Sequence, residues 1–173
     1  MENKKNIISE NIRIRYPNHF QLGNNNIVDD YCYFSTKIRI GSYSHIANNV
    51  SIGGGLDYQF LLGDYCSISS GVRIWCSSNN FIDDIGSFAG ENHFDDRISG
   101  NVEISDLCIV GTNTVIMPDN YLPIGVTIGA LSYVPTKFSF DPWTLYAGIP
   151  IRFIRKRNKD QILNKYKILK YNE

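Results

Sequence analysis

The side chains best suited to chemistry are gathered in one segment, residues 75–97, with the sequence WCSSNNFIDDIGSFAGENHFDDR. Among its side chains are a pair of amides, a pair of carboxylates and an imidazole that are suited to catalysis, which are Asn79, Asn80, Asp83, Asp84 and His93. An imidazole or a carboxylate can take a proton from a nucleophile, and an amide can donate hydrogen bonds to a developing oxyanion. The segment therefore has the residue types of a group-transfer site.

The C-terminal segment from Pro150 onward is strongly basic, with eight Lys or Arg residues against Asp160 and Glu173. Residues 1–149 carry nine basic and fifteen acidic residues, so the net charge of the 173-residue chain is zero. A neutral chain has no overall electrostatic footprint for nucleic acid, and we expect no such partner. The basic segment needs a local explanation.

A repeat of six residues predicts the elements that position these side chains. Aliphatic or aromatic residues stand at Leu22, Val28, Phe34, Ile40, Ile46 and Ile52; after a shift of four residues at Leu62, Ile68 and Ile74; and later at Ile98, Ile104, Val110, Ile116, Leu122, Ile128 and Val134. The fifth residue of most hexads is also small or aliphatic, as at Cys32, Ile38, Ser44, Val50, Leu56, Cys66, Val72, Val102, Cys108, Thr114, Val126 and Ser132. Segment 75–97 interrupts this repeat.

A period of six does not suit a helix, because six steps of about 100° leave successive apolar residues about 240° apart. Short strands separated by tight bends can use it, and Gly often follows the aliphatic position, as in IGSYSH and VGTNTV. The repeat predicts a parallel β-helix with coils about 4.8 Å apart. We therefore expect an all-β fold over residues 22–139, preceded by an N-terminal arm or cap in residues 1–21.

Residues 140–173 are predicted to leave the repeat and to end in an α-helix. In NKDQILNKYKILKYNE, one helical face carries the apolar residues Ile162, Leu163, Tyr166 and Leu169. Asn158 or Asp160 can cap the start of the helix. We expect this face to pack on the β-helix. The lysines opposite it also suit an anionic membrane surface, but packing already accounts for the apolar face.

Cysteine spacing and hydropathy give two further expectations. Cys32, Cys66 and Cys108 occupy the small inward position and are predicted to be reduced core thiols, whereas Cys76 lies off that position. No C-x-x-C pair indicates a zinc or redox site. No apolar run approaches a secretory signal or the ~18 residues of a membrane span, so we expect a cytoplasmic protein.

The segment ISDLCIVGTNTVIMPDNYLPIGVTIGALSYVPTK, followed by LYAGIPIRFIRKR, resembles the C-terminal signature of the hexapeptide-repeat acyltransferases, in particular their sugar and xenobiotic O-acetyltransferase branch. The resemblance covers roughly Leu22 to Arg157. It implies a left-handed β-helix with triangular coils of eighteen residues, a homotrimer with active sites between subunits, and acetyl-CoA as co-substrate. The two aspartates, PW and YAG are similar to acyltransferases of surface-polysaccharide gene clusters, which implies a role in lipopolysaccharide or related glycan biosynthesis.

The resemblance also implies a path for coenzyme A along the last hexapeptide turns. By motif match the path is lined by Gly111, Thr112, Gly129, Ala130, Thr136 and Lys137, with Arg152 and Arg155 at its end. Coenzyme A carries a diphosphate and a 3′-phosphate, for which Arg and Lys are charge-assisted donors. This would account for the basic C-terminal segment.

The interruption departs from the family pattern at the general base. The loop usually carries a histidine that deprotonates the sugar hydroxyl, but an ungapped alignment places the expected Asn-His pair on Asn79 and Asn80. His93 could replace that base, or Asp83 or Asp84 could orient or deprotonate the acceptor. If the acceptor is instead an uncharged amine, it can attack without a strong base. Asn79 and Asn80 would then hold sugar hydroxyls or stabilise the oxyanion.

Two rival functions follow from the same fold. A zinc carbonic anhydrase needs three imidazoles, partly as a close pair, whereas His19, His45 and His93 are widely spaced, so we expect no metal. A non-catalytic trimer that binds coenzyme A or a sugar remains the alternative. The sequence thus predicts an acetyltransferase that acts on a hydroxyl or an amine of a sugar or nucleotide sugar.

Overall fold

The computed structural model describes residues 5–83 and 96–171, which fold into stacked coils of short strands and one C-terminal helix. The strands before the interruption are β1 (Ile7–Ile8), β2 (Arg13–Ile14), β3 (Phe20–Leu22), β4 (Ile27–Val28), β5 (Tyr33–Ile40), β6 (His45–Ile46), β7 (Ser51–Leu62), β8 (Ser67–Ile68), β9 (Arg73–Trp75) and β10 (Ser77–Ser78). Those after it are β11 (Ile98–Ser99), β12 (Val102–Ile104), β13 (Ile109–Val110), β14 (Val115–Ile116), β15 (Asn120–Leu122), β16 (Thr127–Ile128), β17 (Tyr133–Val134), β18 (Thr144–Ala147) and β19 (Arg152–Lys156). A 3-10 turn spans Pro17–His19, and helix α1 spans Lys159–Tyr171.

Strand pairing confirms the predicted parallel β-helix. Ile27 pairs with His45, and Ile109 pairs with Thr127, in each case eighteen positions further along the chain. Eighteen residues make three hexads, so each regular coil contributes three strand segments, and each segment lies on its counterpart in the next coil.

The coils define three faces and three corners. Face 1 consists of β1, β4, β6, β8, β13, β16 and β18. The long strands β5 and β7 each run over two faces: their first halves join β2, β9, β14 and β17 in face 2. Their second halves join β3, β12 and β15 in face 3. We name each corner by the faces it joins. Successive coils turn from face 2 to face 3 at residues 35–37, 53–59, 76–101, 117–119 and 135–137, and this column is corner 2–3.

The six-residue repeat forms the core, as predicted. Of its sixteen positions, fourteen are buried; Leu22 is partly buried in the first coil, and Ile98 is 36% exposed in β11. The expectation that Leu56 points inward is wrong, because Leu56 is 38% exposed and Phe60 is fully buried in its place. The reason is a bulge at corner 2–3, residues 54–58, after which the inward alternation resumes four residues late.

Residues 5–22 form a coil of their own. β1 pairs with β4, while β2 and β3 pair with the two halves of β5, all in parallel. Phe20 stacks on Phe34 with ring centroids 5.6 Å apart. The N-terminal residues thus cover the core of the next coil.

The C-terminal segment turns back along the corner between faces 3 and 1, which we call corner 3–1. β19 pairs antiparallel with β18, and Asn158 accepts a hydrogen bond from the Gln161 N–H at the start of α1 (3.1 Å). The Arg157 guanidinium donates to the carbonyls of Gly125 (2.6 Å) and Leu107 (2.9 Å), in two successive coils. Further along, the Tyr166 ring meets Tyr65 edge-on at 5.1 Å. The helix therefore contacts the β-helix through Tyr166, and Ile162 and Leu163 on the same face are partly buried, whereas Leu169, which was predicted to share that face, is 52% exposed.

Candidate active site

The interruption leaves the β-helix and returns to it at one place on corner 2–3. Its two ends pair as the antiparallel strands β10 and β11, and the hydroxyls of Ser77 and Ser99 lie 2.8 Å apart. Just below them, the Gly100 N–H donates to the Cys76 carbonyl (3.0 Å). A two-stranded stem thus anchors both ends of the segment.

The bulge at residues 54–58 is joined to both ends of this stem. The Cys76 N–H donates to the Gly53 carbonyl (2.6 Å), at the start of the bulge. At its end, the Gln59 N–H donates to Asn101 Oδ1 (3.0 Å). The two insertions therefore lie in successive coils, at the same corner, with their bases hydrogen-bonded together.

Glycine permits this close approach. A Cβ on Gly54 would lie 2.5 Å from Cys76 Cβ and 3.0 Å from the Cys76 backbone, so no larger residue fits without displacement of the stem. Gly55 has φ of +74°, the left-handed region that glycine adopts without steric cost. The bulge presents Asp57 to solvent beside the stem. Sequence reasoning did not assign this bulge to the site, although the four-residue shift of the repeat and the GGG run indicated it.

The two amides that stand where the family has its Asn-His pair lie directly after β10. Asn80 Oδ1 accepts a hydrogen bond from the Ile82 N–H (3.1 Å), and Asn80 Nδ2 donates to Asp83 Oδ2 (3.3 Å). Asn79 is half-buried beside them. The structure thus brings Asn79, Asn80 and Asp83 together, whereas Asp84 and His93 lie outside the described residues.

Two large apolar side chains are exposed at this point. Phe81 is 80% exposed and Ile82 is 88% exposed, although both lie beside the polar cluster of Asn80 and Asp83. Such exposure of adjacent apolar side chains is typical of a surface that another chain or a ligand covers.

Four of the residues predicted to contact coenzyme A lie together on the corner between faces 1 and 2, corner 1–2. Gly111 and Gly129 occupy the same place in successive coils, and Thr112 and Ala130 are exposed beside them. A Cβ on Gly111 would lie 2.4 Å from the Ala130 nitrogen, so packing of the coils alone requires glycine there. The glycines keep this corner narrow and its backbone accessible.

The remaining predicted contacts are distributed over two places. Arg152 is exposed and pairs with Ala147, at the C-terminal end of corner 1–2, and Arg155 pairs with Leu145 further along the same face. Thr136 and Lys137 instead lie on corner 2–3, across face 2, where Lys137 Nζ lies 3.6 Å from Asp119 Oδ2. The structure therefore brings Arg152 to the four corner residues and separates Thr136 and Lys137 from them.

All four cysteines are free and buried, as predicted for three of them. Cys76 is fully buried at the base of the stem, and burial raises the pKa of its thiol to about 11. A protonated, buried thiol is a poor nucleophile, so Cys76 is suited to packing at the base of the stem.

The described residues contain neither a metal site nor a membrane-spanning helix. Within residues 5–83 and 96–171, no three His, Cys, Asp or Glu side chains are placed to hold a metal ion. Over the same ranges, no helix is both long and apolar enough to cross a membrane.

Comparison with known proteins shows the family to which the chain belongs. No family model matches the chain. The chain is, however, 34% identical over 165 residues to a dTDP-4-amino-4,6-dideoxy-D-glucose acyltransferase from Escherichia coli, and this match covers 88% of the chain and 82% of the relative. It is 28% identical over 155 residues to a chloramphenicol acetyltransferase from Escherichia coli, covering 82% of this chain and 72% of that protein.

Solved structures of an N-acyltransferase have the same fold as this chain. AntD, an N-acyltransferase from Bacillus cereus, in complex with dTDP and 3-hydroxybutyryl-CoA, matches with a TM-score of 0.87 and 30% identity, over 97% of this chain and 88% of that one. An AntD mutant with dTDP-4-amino-4,6-dideoxyglucose and coenzyme A matches with a TM-score of 0.89 and 30% identity, over 96% and 88%.

The fold and these relatives define the class first: the protein is a hexapeptide-repeat acyltransferase of the left-handed β-helix type. Within that class, the chain belongs to the family of sugar acyltransferases. The predictions of the fold, of an acyl-CoA-dependent enzyme and of a sugar acceptor are thereby confirmed.

Proposed function

We propose that the protein transfers an acetyl group from acetyl-CoA to the amino group of a nucleotide-linked amino sugar. The observation that carries this proposal is the similarity along nearly the whole chain to AntD in complex with dTDP-4-amino-4,6-dideoxyglucose and coenzyme A. The relative from Escherichia coli has the same amino sugar in its name. Of the two acceptors that the sequence left open, these relatives favour the amine.

The chemistry of an amine fits the residues of the interruption. The neutral nitrogen attacks the thioester carbonyl carbon, a C–N bond forms, and the tetrahedral intermediate expels the coenzyme A thiolate as the C–S bond breaks. The proton lost by nitrogen ends on that thiolate or in solvent. Asn79 and Asn80 carry amide N–H groups suited to the oxyanion or to sugar hydroxyls, and Asp83 and Asp84 carry charges that attract an amino sugar.

A strong base is not required for this reaction, so the missing family histidine is consistent with it. We assign the catalytic cluster to Asn80, Asp84 and His93 and the acceptor contacts to Asn79 and Asp83, as the sequence predicted. In this assignment His93 assists proton removal and is dispensable for the attack itself.

For coenzyme A, we place the pantetheine arm along corner 1–2, where Gly111, Gly129 and their exposed neighbours Thr112 and Ala130 are stacked. Arg152 and Arg155 in residues 140–173 then meet its phosphates. Thr136 and Lys137 lie across face 2 and contact the coenzyme only if it crosses that face or reaches them from a neighbouring protomer.

We propose that the enzyme is a homotrimer with sites between subunits, and that it works in the cytoplasm on a precursor of lipopolysaccharide or another surface glycan. The exposure of Phe81 and Ile82 beside the site supports coverage by a neighbour. Acetyl-CoA and nucleotide sugars are both cytoplasmic metabolites, which supports the location.

Thiol release from acetyl-CoA tests the function. The acceptor panel should include dTDP-4-amino-4,6-dideoxyglucose, its 4-hydroxyl counterpart and UDP-linked amino sugars, with 3-hydroxybutyryl-CoA as a second donor. We expect the amino sugar to be acetylated and the 4-hydroxyl counterpart to be inert, with an amide product seen by mass spectrometry. Turnover of the hydroxyl compound alone would contradict N-transfer, and binding of coenzyme A without any turnover would favour the non-catalytic alternative.

A further inference from the structure

A polar groove runs along face 3, away from the corner assigned to coenzyme A. Its first part has a volume of about 250 Å³ and is lined by residues that include His19, Lys37, Arg39 and Gln59. Its second part, of about 400 Å³, includes Arg39, Glu103 and Asp106. Arg39 and Leu61 line both parts, so the groove is continuous across several coils.

The strand register places two cations side by side in this groove. Lys37 and Arg39 are two residues apart in β5, so their side chains point to the same outward side, with Cα atoms roughly 6.5 Å apart. Lys37 pairs with Gln59 in the next coil, and Arg39 pairs with Leu61. Neither neighbour in that coil is acidic.

These two cations are not neutralised by the described part of the chain. No carboxylate among residues 5–83 and 96–171 lies within 4 Å of Lys37 Nζ or the Arg39 guanidinium, whereas Lys137 and Lys156 have Asp119 and Asp141 as partners. Two adjacent, unpaired cations in a groove are suited to two adjacent phosphates, since guanidinium and ammonium donors form strong charge-assisted hydrogen bonds with them.

The groove also adjoins the candidate active site. Gln59 lines the groove, and its backbone N–H donates a hydrogen bond to Asn101 Oδ1 at the base of the stem. Glu103 lies in β12, two residues after Asn101. Arg39 pairs with Leu61, which pairs with Glu103, so Glu103 lies two coils above Arg39, at a distance of roughly 10 Å along the stack. A hexose with its first phosphate spans a comparable length, so the cations lie at one end of such a ligand and the carboxylate lies beside the stem.

We propose that Lys37 and Arg39 bind the diphosphate of the nucleotide-linked acceptor, with Glu103 facing the amino end of its sugar. This proposal rests on the proposed function and names the binding site that sets its specificity for a nucleotide-linked substrate. Coenzyme A has a diphosphate too. The groove lies in the early coils, however, whereas the residues matched to coenzyme A lie in the last ones.

The test is calorimetric titration of the full-length protein with dTDP and, separately, with coenzyme A. Lys37→Gln and Arg39→Gln should each weaken dTDP binding about 10- to 100-fold, because each removes charge-assisted hydrogen bonds, and should leave coenzyme A binding unchanged. Lys167→Gln, on the exposed surface of α1, is the matched control. An unchanged melting temperature shows that the variants fold, as expected for outward side chains.

Glu103→Gln separates the two ends of the ligand. Because dTDP has no amino sugar, this variant should bind dTDP like the wild type but should raise KM for the amino-sugar nucleotide. Loss of coenzyme A binding in Lys37→Gln and Arg39→Gln would assign the groove to the coenzyme and overturn the proposal, as would unchanged dTDP binding. These binding results do not depend on turnover, so a protein that binds dTDP through these residues but acetylates nothing would refute only the proposed function.

Discussion

The Gln59 backbone N–H and the Asn101 side chain, 42 residues apart in sequence, meet at 3.0 Å and join the bulge to the active-site stem. This hydrogen bond and the bond from Cys76 to Gly53 connect two insertions that separately interrupt the repeat. The candidate site is therefore a pair of insertions that are anchored to each other.

Asn101→Ala removes the acceptor for the Gln59 N–H and should lower the free energy of unfolding by about 0.5–1.5 kcal/mol. We expect a larger effect on KM for the acceptor, because the stem and the bulge lose their connection. Urea unfolding and steady-state kinetics measure the two effects. Asn101→Asp keeps an oxygen acceptor and is the matched control; equal losses in both variants would show that the hydrogen bond is not responsible.

Gly54→Ala should destabilise the stem, because the added Cβ would lie 2.5 Å from Cys76 Cβ. Overpacking of this kind costs about 1–3 kcal/mol. Gly55→Ala meets no atom within 4 Å and carries only the cost of a positive φ, about 1 kcal/mol. Denaturant titration of both variants distinguishes crowding from backbone strain, and the prediction fails if Gly55→Ala is the more destabilised.

Arg157→Gln should release the start of the C-terminal helix, because the carbonyls of Leu107 and Gly125 lose the guanidinium that joins them. A loss of about 1–3 kcal/mol in unfolding free energy is expected. Lys165→Gln changes one exposed charge on the same helix and should cost less than about 0.5 kcal/mol. Comparable losses in the two variants would contradict a specific role for Arg157.

The cysteines should resist thiol reagents in the folded protein at pH 8. All four thiols are buried, so a reagent in solution cannot reach them. For Cys32 and Cys76, burial also raises the pKa of the thiol, to about 11 for Cys76, so these two form little reactive thiolate. A group whose pKa is higher in the folded state loses its stabilising contribution as the pH rises, here between about 9 and 11 for Cys76. Disulfide-exchange reagents should detect all four thiols only in urea, and rapid reaction of the native protein would contradict this prediction.

His93→Ala should retain kcat within about tenfold of the wild type when the acceptor is an amine. A hydroxyl acceptor that depends on this imidazole would instead lose about 10²-fold or more. Single-turnover rates across a range of pH values separate the two cases, because the amine must itself be uncharged to attack. The His45→Ala variant, in β6 and outside both the interruption and the groove, serves as the control for loss of a histidine.

The sequence predicts the coils well because every inward position of a β-helix repeats the same local requirement. Val28, Ile46 and Ile68 are all buried because each occupies the same inward position in successive coils, and the sequence therefore has an aliphatic residue at each of them. The prediction that Leu56 points inward was wrong because the four inserted residues do not change the apolar pattern of the sequence, yet they move Leu56 to the outside of the coil.

The site was less predictable because its geometry depends on contacts between distant coils. Motif matching placed Lys137 and Gly111 on one coenzyme path, yet they lie on different corners, and Lys137 is close to Asp119. Nothing in the spacing of Lys37 and Gln59 indicates that they share a groove. That follows only from the register of β5 against β7.

The C-terminal segment affects how the β-helix unfolds. A solenoid has contacts only between successive coils and can unravel stepwise from either end. Here Arg157 and Tyr166 bind the coils of Gly125, Leu107 and Tyr65 in turn, so one segment spans several repeats. The last coils therefore cannot fray without also releasing a helix that is anchored deeper in the stack, which favours cooperative unfolding at this end of the repeat.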